Sequence, residues 1–314
     1  MLYRVCFLFF LFLIGLFYWR CASQHDRGGG GGTSASSCDA SHVPVKINNE
    51  FSKPEKVTIN GYDSHAMEPF ITRDGNYLFF NSLNDGRNTS LCYASRVDDA
   101  TFTYIGTIDG VNGRPPHLDA VPSMDSDGRF YYISKRSYGC DYSTVFSGNF
   151  LNGRVLDVDV QPGNFYKRSP GWVVMDAEIS PDGNMLYFVN AHFKGGRVPD
   201  RADIGVARIA NGDFNITANS SDIMKSINTE EGIEYAPSIS SDGLELFYTS
   251  FNKCTSLPEI LIAKRGSLSE PFHTPERIST LSGFVEAPSI AHDKKTLYYH
   301  SKINGIFTIY KASR

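Results

Sequence analysis

Acidic side chains recur at one kind of place in this 314-residue chain: Glu68, Asp176, Glu178, Glu234 and Glu286 each stand a few residues ahead of an Asp-Gly or Asp-Lys step. Two carboxyl groups facing one substrate, one protonated and one ionised, can break a glycosidic bond by acid–base or nucleophilic chemistry. These five are the candidate catalytic residues if the chain is an enzyme. Asp63, Asp119, Glu230 and Glu231 lie in the same loops. Basic residues follow the same steps: Arg87, Lys135, Arg136, Lys194, Arg197, Lys253 and Lys302, joined by His65, His117, His192 and His300. If the two sets face one mouth, an acidic inner ring and a basic outer ring would bind a polar small molecule or a saccharide. The candidate ligand-binding residues are Trp172, His192, Lys194, Arg197, His117, Arg87 and Arg136. Trp172 suits stacking on a sugar ring, or packing between sheets. An acidic ring would also hold Ca²⁺, which takes oxygen ligands. Acids so placed can equally pair with bases or cap backbone amides, which is a structural role.

The elements that must position these residues are repeats. Five segments align: "MEPFITRDGNYLFFNS", "AVPSMDSDGRFYYIS", "MDAEISPDGNMLYFVN", "YAPSISSDGLELFYTS" and "EAPSIAHDKKTLYYHS". Their turn aspartates, Asp74, Asp127, Asp182, Asp242 and Asp293, are 53, 55, 60 and 51 residues apart. A period of that length marks a solenoid, propeller or array. Each segment reads as a short inner strand, a tight Asp-Gly turn and an aromatic second strand. The turn aspartates are structural, because the turn chemistry accounts for them. Two further strands follow in each repeat, except that the last lacks a fourth. "EFSKPEKVT", ahead of the first repeat, resembles "PFHTPERIS" in the fourth repeat and is expected to supply the missing strand. The expected fold is all-β: a five-bladed β-propeller of four-stranded antiparallel blades, closed by an N-terminal strand that completes the last blade. Repeat three departs from its siblings, with longer loops and two acids, Asp176 and Glu178, in "MDAE".

The tandem element P-x-I-S-x-D-G-x-x-L-x-F-x-S resembles the WD40-like PD40 repeat of the TolB-type β-propeller superfamily, over roughly residues 43–314. The resemblance implies the fold and no particular activity. TolB itself has a further blade and a preceding α/β domain, neither of which the repeat count provides here. Peptidases with such repeats add a hydrolase domain, and no GxSxG elbow occurs in this sequence. Oligogalacturonate lyases share the repeat class. Five-bladed propellers also serve several glycosidase families, a likeness of shape and not of motif.

Ahead of the repeats, residues 1–20 read as a signal peptide or signal anchor: the apolar run "VCFLFFLFLIGLFYW" is short for a membrane span. Residues 21–42 contain five consecutive glycines and form a flexible tether, and residues 43–314 hold the repeats. Sequons at Asn88, Asn215 and Asn219 agree with a secretory route. Cys38, Cys92, Cys140 and Cys254 allow three disulfide connectivities, or none, and no CxxC pair suggests zinc. A formal net charge of −4 gives no support to nucleic-acid binding. The expectation is a secreted or lumenal monomeric propeller binding a polar, saccharide-like ligand at its central mouth. The alternative is a glycan hydrolase or lyase using the funnel carboxylates, and a further one is a protein-interaction scaffold.

Overall fold

The computed structural model describes residues 46–314 apart from 53, 86–88, 197, 231 and 253–254. The leader and tether, Cys38, Arg87, Asn88, Arg197, Lys253 and Cys254 lie outside the described residues. Among the described residues, no helix is long and apolar enough to cross a membrane.

Three short strands come first: β1 (Lys46–Asn48), β2 (Glu55–Lys56) and β3 (Thr58–Asn60). Blade one holds β4 (Met67–Ile71), β5 (Tyr77–Asn81), β6 (Leu91–Arg96) and β7 (Thr101–Thr107). Blade two holds β8 (Asp119–Met124), β9 (Arg129–Ser134), β10 (Val145–Leu151) and β11 (Arg154–Val160). Blade three holds β12 (Trp172–Ile179), β13 (Met185–His192), β14 (Arg201–Ala210) and β15 (Asp213–Ile216). Blade four holds β16 (Glu234–Ile239), β17 (Glu245–Asn252), β18 (Leu257–Lys264) and β19 (Glu276–Ile278). Blade five holds β20 (Val285–Ile290), β21 (Thr296–Ile303) and β22 (Ile306–Ser313). The result is the five-bladed β-propeller that the repeats predict.

The aromatic second strands hold the blades together. Successive residues on a strand point to opposite faces. On β5, Phe79 packs toward blade two while Leu78 and Phe80 pack toward blade five. The same alternation in every blade yields five apolar clusters, each filling one space between neighbouring blades. The turn aspartates behave as read: Asp74, Asp182, Asp242 and Asp293 each accept the backbone N–H two residues on. Blade two transfers that task to Asp125. Where blade five lacks the turn glycine, Lys294 takes the left-handed conformation at φ 61°.

Ring closure follows the expected route and adds to it. β2 pairs antiparallel with β22 and completes blade five. In addition, β1 runs parallel to β19 of blade four, and β3 runs parallel to β7 of blade one. One N-terminal stretch therefore crosses three consecutive blades and adds a fifth strand to two of them. Arg314 fastens the same stretch, bonding Glu50 at 2.7 Å and Glu245, with its guanidinium 5.0 Å from the Phe51 ring centre.

At the axis, the inner strands β4, β8, β12, β16 and β20 bulge, and the bulges turn backbone N–H groups away from their own sheet. Side chains of the preceding blade accept them. His300 Nδ1 accepts the N–H of Glu68, Asn81 that of Val121, Asp176 that of Ala236 and Thr249 that of Ala287. A second tier of serines does the same: Ser289 accepts from Ile71, Ser123 from Ile179 and Ser238 from Ile290. Blade one has Phe70 and blade three has Glu178 at the serine position. There Arg73 reaches across from blade one. It donates to Met124 O at 3.2 Å, Ile179 O at 2.7 Å and Glu178 at 2.8 Å, while Ser123 donates to the other Glu178 oxygen at 2.6 Å. Both charged side chains are only 5 % exposed, so this pair forms the floor of the channel.

Removing one partner of a buried pair leaves an uncompensated charge, which costs about 3–5 kcal/mol. Arg73→Met and Glu178→Met are each expected to lose that much stability in chemical denaturation. The double variant should lose clearly less than the sum of the two. Simple additivity would show that the pair does not couple the blades.

Candidate functional site

The bulged inner strands carry acids at slightly different registers. Glu68 and Asp176 stand six residues before their turn aspartates, Asp74 and Asp182, while Glu286 stands seven before Asp293. All three face one cavity of about 180 Å³ at the end of the channel where inner strands begin and second strands end. Tyr235 and His300 line it with them. By this measure one water takes on the order of 10–15 Å³, so the space holds one sugar residue. The walls above are largely apolar, built by Met175, Phe193, Val198, Pro199, Phe251 and Phe284.

The hydrogen bonds assign roles. His300 is 1 % exposed, and its Nδ1 accepts the Glu68 N–H at 3.0 Å. Its proton therefore sits on Nε2, which donates to Glu286 Oε2 at 3.0 Å. Tyr235 OH donates to Glu286 Oε1. Both Glu286 oxygens accept hydrogen bonds, the pattern of a carboxylate rather than of a carboxylic acid. Its proximity to Glu286 and its burial push the Tyr235 phenol well above its ordinary range, burial being the larger cause.

Asp176 and Glu68 are different. Burial raises Asp176 to about 7, helped by the nearby Glu286 charge and opposed by the Ala236 N–H bond. Burial also raises Glu68 to about 8, with Asp176 and Glu286 adding to it and bonds from Val121 N–H and Asn81 offsetting part. Three carboxyl groups in one dry cavity cannot all ionise, so the proton-binding burden falls on these two. Glu68 Oε2 is a buried oxygen with no hydrogen-bond partner.

The other sequence-derived candidates are placed elsewhere. Glu178 is held by Arg73 and Ser123, in an ion pair that ties blade one to blade three. Glu234 is buried on β16, where Thr229 donates to it at 3.2 Å, outside the cavity lining. Trp172 packs on His192, ring centres 4.9 Å apart, with Lys167 Nζ 3.5 Å from its ring centre; neither Trp172 nor His192 lines the cavity. His192 and Lys194 both pair with Asp200, at 2.9 and 3.0 Å. Arg136 turns onto Asp119 at 2.5 Å, and His117 lies off the cavity. The expected acidic ring inside a basic ring is thus replaced by an acidic floor under apolar walls. Arg136 and Lys194 are paired with local carboxylates away from the cavity, while Lys135 does line it. Among the described residues, no group of three or more His, Cys, Asp or Glu side chains is arranged to hold a metal ion. Cys92 and Cys140 are free thiols, one buried and one exposed.

Sequence reasoning missed Tyr235 and the aromatic walls. Tyr235 occupies the repeat position of Glu286, seven residues before Asp242, and that alignment was the available signal. Phe193 and Phe284 sit in loops flanking the strands and Phe251 near the end of β17, where no pattern singles them out.

No protein family matches the sequence, and no curated protein does. Solved structures do match in fold. A family 117 glycoside hydrolase of the marine bacterium Zobellia galactanivorans is similar at TM-score 0.54 and 12 % identity, over 85 % of this chain and 91 % of that one. An endo-arabinase of Bacteroides thetaiotaomicron is similar at TM-score 0.52 and 14 % identity, over 83 % of this chain and 98 % of that one. TolB of Acinetobacter baumannii also matches, at TM-score 0.43 and 14 % identity; 80 % of this chain spans 55 % of that one. At such identities the likeness establishes the propeller architecture alone.

Proposed function

We propose that this protein cleaves a glycosidic bond in the channel cavity, with Asp176 as proton donor and Glu286 as the ionised partner. One observation carries the reading: two carboxyl groups line the same cavity in different environments, Glu286 accepting hydrogen bonds on both oxygens and the buried Asp176 accepting one backbone N–H. Asp176, neutral below about pH 7, gives its proton to the leaving oxygen. Glu286, oriented by Tyr235 and His300, takes a proton from a water whose oxygen bonds to the anomeric carbon as the glycosidic bond breaks; Glu286 then releases that proton to solvent and Asp176 takes one up. Phe251 and Phe284 cover the apolar face of a sugar ring. A family 117 glycoside hydrolase and an endo-arabinase are among the structures similar in fold, which supports the reading. A secretory location is part of the proposal, since Asn219 is exposed and Asn215 partly so in their sequons.

A screen of aryl glycosides and plant and microbial oligosaccharides should reveal turnover. Asp176→Asn and Glu286→Gln are then each expected to lower kcat about 10²–10⁴-fold. The asparagine carbonyl can still accept the Ala236 N–H, so folding is retained. Binding without turnover by the wild type would leave a lectin-like role and contradict the enzyme reading.

Stability carries a matching pH signature. Unfolded Asp and Glu titrate near about pH 4. With Asp176 at about 7 and Glu68 at about 8, the folded chain binds more protons than the unfolded one between those limits. Stability is therefore highest near the acidic edge of this window and falls as pH rises through it, by about 1.4 kcal/mol per unit of raised pKa for each group. Melting temperatures should decline across the window, and Glu68→Gln and Asp176→Asn should each flatten the decline. A slope untouched by both substitutions would mean that neither group holds its proton.

A further inference from the structure

The catalytic reading uses Asp176 and Glu286 and leaves Glu68 without a task. Yet Glu68 is the acid with a spare acceptor, a buried Oε2 lacking any partner, in a cavity with space beside it. Among the described residues no ion pair involves Glu68 or Asp176, and Glu286 meets only the neutral His300. Lys135 also lines the cavity, but among the described residues no ion pair joins it to Glu68, Asp176 or Glu286. A ligand hydroxyl could fill the acceptor of Glu68 but would leave its proton in place. An ammonium would displace that proton to solvent and pair its own charge with the resulting carboxylate, which is the stronger kind of hydrogen bond. The walls favour the same group. Aromatic faces attract cations, and the rim already shows it: Lys302 Nζ lies 4.9 Å from the Phe307 ring centre and 6.0 Å from that of the cavity-lining Phe284. Few wall groups could serve the many hydroxyls of a neutral sugar, so one strong contact would set orientation.

We propose that Glu68 selects substrates bearing a protonated amine, making amino sugars with a free amino group the preferred glycan class of this site. The proposal rests on the glycan reading and narrows it. It predicts that the ammonium lies on Glu68 while the scissile bond lies between Asp176 and Glu286.

Calorimetric titration of the protein at neutral to mildly alkaline pH, where the Glu68 proton is readily displaced and an amine is still charged, tests it with two ligand sets. The first is the β-1,4-linked tetramer of glucosamine, cellotetraose and the N-acetylglucosamine tetramer, which share a backbone and differ at one substituent. The second is benzylamine against benzyl alcohol, which needs no sugar. A hydrogen bond to a charged group is worth about 1.5–3 kcal/mol, so the amine member should bind about ten- to a hundredfold more tightly in each set. Glu68→Gln should bring its affinity down to that of the neutral member. An amine preference in the benzyl pair alone, lost in Glu68→Gln, upholds the selectivity of Glu68 and removes the glycan reading. Equal affinities throughout, no binding in either set, or an amine preference that survives Glu68→Gln overturns the proposal.

Discussion

Every inner strand of this propeller turns backbone N–H groups toward the axis, and no strand of its own blade can accept them. A buried, unpaired N–H costs about 1–3 kcal/mol, so each must find an acceptor on the neighbouring blade. Asn81, Thr249, His300 and Asp176 meet one tier of these bonds and Ser123, Ser238 and Ser289 the next. The axis is consequently polar by necessity, while the spaces between blades are apolar. Function has only to modify a ring of polar side chains that folding already requires.

Blade three shows how. The residue on β13 that would match Asn81, Thr249 and His300 is Val189, which can accept nothing. Asp176 takes over the acceptance of the Ala236 N–H with one oxygen, and its carboxyl group is thereby brought to the channel wall. Two residues on, Glu178 replaces the serine of the second tier and recruits Arg73 from 105 residues away. The same substitution pattern yields one acid locked in an ion pair and one acid that faces the cavity. His300 makes a similar double contribution: it caps Glu68 with one ring nitrogen and orients Glu286 with the other. Building and arming the site are one set of bonds.

Much of the fold was legible because it repeats. The Asp-Gly turns and the alternating aromatic strands each obey a local rule, and five copies reinforce it. β1 and β3 were not legible. Each spans three residues, "KIN" and "TIN", and is added to a blade edge through backbone hydrogen bonds that leave no side-chain pattern. In the site, the acids ahead of the turns could be found, but their separate fates could not. Whether Glu178 or Asp176 meets a cation depends on Arg73, which is adjacent only after the ring closes. The pairing of Arg136 and Lys194 was hidden for a related reason. Arg136 and Lys194 have carboxylates within reach, Asp119 and Asp200, and short-range pairing wins over a shared mouth.

The central claim is that the carboxyl groups of one cavity are split, with Asp176 and Glu68 protonated near neutrality and Glu286 ionised. Infrared difference spectroscopy of the carboxyl stretch, recorded between about pH 6 and about pH 9, tests it directly. The account predicts protonated-carboxyl absorption at the lower pH, part of it missing in Glu68→Gln, another part missing in Asp176→Asn, and none missing in Glu286→Gln. Absorption that disappears with Glu286→Gln alone, or no protonated carboxyl at the lower pH, would contradict it.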